Sequence, residues 1–482
     1  MSHTSYILPF IAYFCILLAI GIISHQKQRS AADFIVGNRS LNFWVTGLSA
    51  HASDMSSWLF MAFPAGIYIG GLSQAWIAIG LLLGMYLNWQ FVATKLREAT
   101  EKNESYTLST FFERRFGDSS GAIRIVTAFM AVFFFTCYIA AGLIGMGEIF
   151  VSVFGINFYV GLTISSVVVL LYTFIGGFIT VAWTDLFQAL FLICMIIIVP
   201  WIAFNSLENG FASIQQAADL QSISLSAFPD ISLFSIITIV FLILQWGLGY
   251  FGQPHIITKF MGIKESSELH KSKYLGMTWQ LVALSAAACT GLVGIAFFKT
   301  PLANPEHIFV EMVKVLFHPV AAGFVLCGVI AASLSTMDSQ ILVSASLLSE
   351  DFYKHFLKKQ ASQKELLIAS RVGVVLVSVV SLILALLKNS SIQAAVLYAW
   401  SGLGCSFGPL VLMSLYSKSA NKYGAITGVF VGGIIAATWD SLNPYVTSFT
   451  IPAMIPGFFL SLLSIYVVST LTKNNYVKVS SA

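Results

Sequence analysis

The stretch Leu48-Ser-Ala-His-Ala-Ser-Asp-Met-Ser-Ser-Trp58 is polar and lies near the middle of an otherwise apolar segment, residues 41–67. A second stretch, Trp246-Gly-Leu-Gly-Tyr-Phe-Gly-Gln-Pro254, places three glycines and a proline at the end of the apolar segment 233–251. Glycine and proline release backbone N–H and C=O groups from a helix, and in lipid each released group needs another partner. We therefore predict two broken helices.

The composition places these breaks inside a membrane protein. Hydrophobic residues make up 57% of the 482 residues and charged residues 10%, against about 25% charged in soluble domains. A helix that spans a bilayer needs about 20 predominantly apolar residues. We predict an all-α polytopic protein, a single transmembrane domain over residues 1–482, with about thirteen spans: 6–24, 41–67, 71–92, 123–151, 158–176, 186–204, 233–251, 274–297, 319–342, 366–387, 392–416, 423–439 and 451–471.

The distribution of Lys and Arg predicts the orientation. Basic residues concentrate in the loops on one side of the membrane. The loops on the other side have only Lys299, Lys314 and Lys388, and their long loop from Ser206 to Asp230 has no basic residue. Because basic loops stay in the cytoplasm, the N-terminus is predicted outside and the C-terminus in the cytoplasm. The basic loops lie at residues 27–39, 95–115, 259–273 and 354–364, and the same side holds Lys418, Lys422, Lys473 and Lys478.

The two interruptions occupy corresponding positions, because five spans separate them along the chain. Paired breaks are typical of inverted-repeat secondary transporters whose site lies at the breaks. The predicted 5+5 core consists of residues 41–205 and 231–417, and residues 418–482 form peripheral helices. Taken singly, the first stretch could be a polar helix face inside a bundle, and the second a glycine-rich packing seam.

The energy source for transport is predicted to be an ion gradient. The sequence has no Gly-Lys dipeptide, so the phosphate-binding loop of many ATPases is absent. Ser335 and Thr336 offer hydroxyl oxygens, and a broken helix offers free carbonyls. Neutral oxygens suit sodium, whereas a proton would need a carboxylate or a histidine. The alternative for both hydroxyls is a hydrogen bond to the preceding turn of their own helix.

The chain resembles the sodium:solute symporter family over nearly its whole length, and within it the proline branch. The most specific of the shared stretches is Trp246-Gly-Leu-Gly-Tyr-Phe-Gly-Gln-Pro-His255. The others are Asp33-Phe-Ile-Val-Gly-Asn-Arg-Ser-Leu41, Ala52-Ser-Asp-Met-Ser56, Leu171-Tyr-Thr-Phe-Ile-Gly-Gly177, Ala182-Trp-Thr-Asp185, Ser335-Thr336 and Ala361-Ser-Gln-Lys-Glu365.

The resemblance implies an inverted-repeat fold with two broken helices and two binding sites. By position, Asp54 and Ser56 match residues that affect sodium and substrate affinity. The implied sodium ligands are the carbonyls of Ala52, Met55 and Ala332 with the hydroxyls of Ser335 and Thr336. The implied solute site is lined by Ser56, Ser57, Trp58, Tyr138, Trp246, Tyr250 and Pro254.

Acidic side chains inside spans are costly, so each is a functional candidate. Asp54 is expected to support the sodium site by capping the inner half-helix. Asp185, at the predicted cytoplasmic start of a span, is either an ordinary helix-start acid or, by resemblance, part of the sodium exit path. Ser335, Asp338 and Ser339 share one helix face. If Asp185 faces them, they form a second cation site; otherwise Asp338 is solvated in an inner vestibule or paired with a loop lysine.

The function implied by the resemblance is sodium-coupled symport of L-proline by alternating access, in a bacterial inner membrane. Another small amino acid, betaine or a carboxylate is the alternative solute, since Ser57 replaces a glycine usual in the proline branch. No catalytic constellation is found, so an enzyme is not expected. The expected partners are the solute, sodium and the lipid bilayer. No cofactor besides the coupling ion, no nucleic acid and no obligatory protein partner are expected.

Overall fold

The computed structural model describes residues 4–24, 31–175, 177–387 and 391–473, and these are helical almost throughout. Within those ranges, the only β-pairing is an isolated bridge between Leu41 and Ile263. Some residues used in the sequence predictions lie outside the described residues: Lys27, Arg29, Gly176, Lys388 and Lys478.

The helices of the described residues are numbered in chain order. Those of the first half are α1 (Thr4–Ser24), α2 (Ala31–Val36), α3 (Phe43–Ala52), α4 (Ala62–Gly70), α5 (Trp76–Asn88), α6 (Thr94–Lys102), α7 (Leu108–Arg115), α8 (Ala122–Phe154), α9 (Phe158–Ile175), α10 (Phe178–Asn205) and α11 (Phe211–Leu220). Those of the second half are α12 (Leu233–Gly247), α13 (Pro254–Met261), α14 (Leu269–Phe297), α15 (Ile308–Leu316), α16 (Pro319–Ser346), α17 (Gln363–Leu386), α18 (Ile392–Tyr416), α19 (Lys422–Val446) and α20 (Met454–Leu471).

Short polar side chains and prolines set several helix starts. The Asn42 side chain accepts a hydrogen bond from the Val45 backbone N–H at the start of α3, and Ser391 does the same for Ala394 in α18. Ser362 and Glu365 form a reciprocal capping box at the start of α17. Pro254 and Pro319 open α13 and α16, where the missing proline N–H needs no partner.

The polytopic all-α class is confirmed. Ten helical segments among the described residues are long and apolar enough to cross a membrane. Three further predicted spans correspond to shorter apolar helices, at Ile7–Ile23, Ser57–Gly70 and Phe158–Leu171. The total of thirteen spans stays a prediction.

Both predicted helix breaks are confirmed. Helix α3 ends at Ala52, and a 3-10 turn over Ser57–Leu59 precedes α4. Helix α12 ends at Gly247, and a 3-10 turn over Leu248–Gly252 precedes α13.

The helices around the two breaks pack in matched pairs. Helix α3 packs on α10, and the turn of the second break packs on α18. Helix α14 packs on α3, and α5 packs on α12. Helix α8 contacts α18, and α16 contacts α10. Within each of these three pairs of contacts, the second contact is the counterpart of the first in the other predicted repeat. Helices α19 and α20 pack on each other and on α18.

The predicted start of the span at residue 186 is wrong. Helix α10 begins at Phe178, so Asp185 lies well inside it and its side chain is fully buried. The apolar and small residues from Phe178 to Ala182 extend the helix toward its N-terminus. Asp185 is therefore not an ordinary helix-start acid in water.

Candidate functional site

Two hydroxyls of α16 replace a missing backbone hydrogen bond in the first break. In an uninterrupted helix the Ser56 N–H would donate to the Ala52 carbonyl. Here Ser56 N–H donates to Thr336 Oγ1 over 3.0 Å, and the Ala52 carbonyl accepts from Ser335 Oγ over 2.9 Å. Neighbouring side chains of one helix thus satisfy both ends of the broken bond.

The same hydroxyls also bond within α16. Ser335 Oγ and Thr336 Oγ1 each lie 3.1 Å from the Ala332 carbonyl oxygen. The back-bonding alternative and contact with the break are therefore both realised.

The break itself contains an unusual backbone conformation. Ser56 has φ 29° and ψ −172°, in a region that residues other than glycine rarely adopt, at a cost of about 1–3 kcal/mol. Its side chain accepts from the Trp58 backbone N–H over 3.2 Å. The capping role expected of Asp54 therefore falls to Ser56.

The oxygens gathered here fit a sodium ion chemically. The carbonyls of Ala52 and Ala332 and the hydroxyls of Ser335 and Thr336 are connected by hydrogen bonds, and all four residues are buried. They are neutral, hard donors of the kind that a hard cation prefers. The carbonyl of Met55, the fifth predicted ligand, lies in the same break and accepts from Leu59 N–H over 3.2 Å.

A small central cavity adjoins the first break. Its volume is about 10 Å³, which is room for about one water molecule. A solute as large as an amino acid cannot enter without movement of the lining side chains. The lining residues are Asp54, Met55, Trp58, Leu81, Tyr138, Trp246, Val396 and Trp400.

Aromatic rings form one side of this cavity. The ring centroids of Trp58 and Trp246 are 4.7 Å apart, and those of Trp246 and Trp400 are 6.0 Å apart. The indole N–H of Trp58 donates to Gln393 Oε1 over 2.9 Å. The predicted residues Trp58, Tyr138 and Trp246 therefore come together around one space.

Tyr250 lies behind the cavity and holds Asp54. Its hydroxyl donates to the Asp54 carboxylate and accepts from Gln280 Nε2 over 2.8 Å. The Tyr250 ring packs edge-on against Trp400, with centroids 5.1 Å apart. Tyr250 therefore orients the carboxylate of Asp54, and Asp54 itself lines the cavity.

Four of the seven predicted solute residues do not line the central cavity: Ser56, Ser57, Tyr250 and Pro254. A Cβ on Gly145 of α8 would come within 3.0 Å of the Ser57 Cβ, so Ser57 faces α8. Pro254 lines a separate small cavity with Thr258 and Phe407. The assignment of these residues to the solute site, implied by the resemblance, stays a prediction.

Asp185 is the centre of a buried polar cluster beneath the first break. Lys259 Nζ of α13 lies 2.8 Å from Asp185 Oδ2, and both side chains are almost fully buried. Ser49 Oγ donates to the same carboxylate oxygen over 2.7 Å, and Ser53 Oγ does so over 3.1 Å. Ser339 Oγ lies 3.0 Å from Ser53 Oγ, so α16 also reaches this cluster.

Asp338 is fully buried, so the prediction of a solvated Asp338 is wrong. Neither of its carboxylate oxygens has a hydrogen-bond partner among the described residues, and no described lysine pairs with it. The lysine that enters this region, Lys259, pairs with Asp185 instead.

Sequence reasoning missed three residues of the site. Trp400 lies so close to Gly249 that a Cβ on that glycine would clash with the indole, a contact that the sequence alone does not indicate. Lys259 lies in a basic segment of the sequence, 259–273, and the signal for its role is that it follows Pro254 by five residues in a short apolar helix. Gln280 was a polar residue in an apolar span, which is itself a signal of an internal partner.

Comparison with known proteins extends these observations. The sequence profile described as "Sodium:solute symporter family" matches residues 34–432. The high-affinity proline transporter PutP of Bacillus subtilis (strain 168) is 41% identical over 461 residues, covering 95% of this chain and 96% of that protein. The sodium/proline symporter of Staphylococcus aureus (strain NCTC 8325 / PS 47) is 39% identical over 473 residues, covering 96% and 91%.

Solved structures share the fold at low sequence identity. A sodium-coupled sialic acid symporter in a substrate-bound outward-open state superposes with a TM-score of 0.80 at 17% identity, covering 97% of both chains. MHP1, a nucleobase-cation-symport-1 family transporter in a closed conformation, gives 0.57 at 14% identity, covering 93% of this chain and 96% of its own. With the profile match and the two relatives, the conclusion is plain: the chain belongs to the sodium:solute symporter family.

Proposed function

We propose that this protein is a sodium-coupled symporter that carries L-proline into the cell by alternating access. One observation carries the proposal: Ser335 and Thr336 satisfy both ends of a broken helix bond with groups that can also bind sodium. The names of the two relatives indicate proline as the solute. Another small amino acid, betaine or a carboxylate is the alternative.

The proposed sodium ligands are the carbonyls of Ala52, Met55 and Ala332 and the hydroxyls of Ser335 and Thr336. Sodium at this position would join α16 to the first break. Ser56 directly follows Met55, a proposed sodium ligand, and Asp54 lines the cavity. Ordering of the break by sodium would therefore also order the solute site.

The proposed solute site is the central cavity. Proline has a carboxylate, a cationic secondary amine and a small apolar ring. The Asp54 carboxylate, oriented by Tyr250, suits the amine, and the backbone N–H groups at the start of the half-helix after Ser56 suit the carboxylate. The faces of Trp58 and Trp246 suit the ring, each contributing about 0.5–2 kcal/mol where they also meet the cationic nitrogen.

Movement is required for solute entry, since the cavity holds only about 10 Å³. Ser57 faces α8 rather than the cavity, so its replacement of a glycine gives little reason to prefer another solute.

We further propose one sodium per solute. The sequence analysis raised a second cation site at Asp185 and Asp338. The ammonium group of Lys259 already occupies this position, since its Nζ lies 2.8 Å from Asp185. A tethered cation of this kind supplies the positive charge that a second ion would otherwise bring. Asp185, Asp338 and Ser339 then support the sodium site and its exit path.

The two inverted repeats, residues 41–205 and 231–417, are proposed as the moving parts of the cycle. The division into two repeats is supported by their matched contacts, α3 on α10 in the first and the second break on α18 in the second. The distribution of basic residues favours an external N-terminus and a cytoplasmic C-terminus in a bacterial inner membrane.

Uptake into proteoliposomes tests this function. Radiolabelled L-proline is supplied with an inward sodium gradient, or with choline in place of sodium. We expect accumulation with sodium alone, and its loss in the Ser335→Ala/Thr336→Ala variant. If proline does not accumulate while betaine or another amino acid does, the solute is wrong and the symport stands. If accumulation is equal in choline, sodium coupling is wrong.

A further inference from the structure

Two apolar grooves flank the outer face of α17, away from both breaks. One groove, of about 400 Å³, lies between α17 and the π-helix that continues α16 over Leu347–Leu357, which contributes Leu348 and Phe352. The other, of about 570 Å³, lies between α17 and the end of α9 at Phe174. Ile368, Val372 and Leu376 line both grooves and form a ridge between them.

An arginine stands in the second groove. Arg371 is exposed, and its guanidinium lies 5.6 Å from the centroid of the Phe174 ring. It follows Gln363, the start of α17, by about 12 Å along the helix axis. Lys364, Ile368, Arg371 and Val375 recur at helical spacing, so Arg371 and Lys364 share the groove face.

Arg371 has no counter-ion among the described residues. No described carboxylate lies within ion-pair distance of it, of Lys359 or of Lys364. The acids at this end of α17 are already paired, Glu350 with Lys354 and Glu365 with Lys358. An arginine on the lipid-facing side of a span is costly unless its side chain reaches a phosphate at the membrane surface.

From this geometry we infer a binding site for one anionic phospholipid on α17. Its phosphate binds Arg371, and Lys364 and Lys359 complement the net negative headgroup. Its two acyl chains lie in the two grooves, on either side of the ridge of Ile368, Val372 and Leu376. The two grooves match a ligand with two chains and one charged head. In the proposed orientation this site faces the cytoplasmic leaflet.

Lipid titration of the purified full-length protein in a neutral detergent tests the site. The probes are short-chain phosphatidylglycerol and phosphatidylcholine with the same acyl chains, and the readout is the unfolding temperature. We expect phosphatidylglycerol to raise the unfolding temperature more than phosphatidylcholine does. Arg371→Gln should weaken the apparent phosphatidylglycerol affinity about tenfold, the loss of one charge-assisted contact.

The matched control is Arg114→Gln. Arg114 is another exposed arginine, which donates to the Asn103 carbonyl and lines neither groove. The control should respond to phosphatidylglycerol as the parent protein does, and Arg371→Lys should keep most of the response. Equal shifts with the two lipids, or an undiminished phosphatidylglycerol shift in Arg371→Gln, would overturn the site. Neither result depends on transport, so the proposed function is tested separately.

Discussion

The two broken helices are held open in different ways. In the first break, hydroxyls of α16 bond to the Ala52 carbonyl and the Ser56 N–H. In the second break, α18 packs directly against glycine backbone. A Cβ on Gly252 would lie only 2.7 Å from the Leu403 carbonyl oxygen and 2.8 Å from that of Gly404.

The contact that holds the first break is exchangeable, whereas the contact that holds the second break is steric. A hydroxyl or carbonyl oxygen can turn from a hydrogen bond to a cation, whereas two packed backbones separate only if whole helices move. Ser56 in the first break has a positive φ, and no described residue of the second break has one. The first break is thus suited to respond to an ion, and the second to act as a fixed contact between α12–α13 and α18.

Two side-chain links tie the breaks together. Tyr250 of the second break bonds to Asp54 of the first. Lys259, in the half-helix after the second break, pairs with Asp185, which also accepts from Ser53 at the first break. These two links fix the position of one break relative to the other.

Loss of the Lys259 link should have the largest effect. Lys259→Met leaves the buried Asp185 carboxylate without its cation, which costs about 3–5 kcal/mol. We expect a strongly lowered unfolding temperature in detergent. The double variant Lys259→Met/Asp185→Asn removes both charges and should recover much of the loss. A single variant as stable as the parent would mean that the pair does not hold the breaks together.

Filling the close contact of the second break should have the next largest effect. Gly252→Ala forces a methyl group against the backbone of α18, at a cost of about 1–3 kcal/mol or more. The control is Gly66→Ala in α4, where a Cβ meets no atom within 4 Å and helix propensity favours alanine. The unfolding temperatures of Gly252→Ala and Gly66→Ala are compared. Equal, small changes would contradict a fixed contact at the second break.

Removal of the α16 hydroxyls should act mainly on sodium dependence. Ser335→Ala leaves the Ala52 carbonyl without its partner and removes a proposed ligand, a loss of about 1–3 kcal/mol. The sodium concentration for half-maximal uptake should rise about tenfold or more. Ser333→Ala is the control, because the only described partner of the Ser333 hydroxyl is the Val329 carbonyl of its own helix. Equal shifts in both variants would remove Ser335 from the sodium site.

Much of this architecture could be predicted from local sequence signals. Polar residues at Ser53 to Ser56, and the glycines before Pro254, mark the breaks because lipid tolerates no unpaired backbone. The face shared by Ser335 and Ser339 follows from helix periodicity alone. Both properties depend on residues close together in the chain.

The remaining features depend on contacts between distant segments. The pairing of Lys259 with Asp185, and the place of Trp400 against Gly249, join different helices. The contact of Ser57 with α8 and the place of Pro254 beside Phe407 also depend on tertiary packing. No local pattern distinguishes these positions from their neighbours.

The most direct test of the account is hydrogen exchange of the two breaks with and without sodium. Mass spectrometry of the purified protein would follow peptides covering residues 50–62 and 246–258, in sodium or in choline. We expect sodium to slow exchange in the first peptide, Ser335→Ala/Thr336→Ala to remove this protection, and the second peptide to change far less. Equal protection of both peptides, or protection of the second alone, would contradict an ion-responsive first break and a fixed second one.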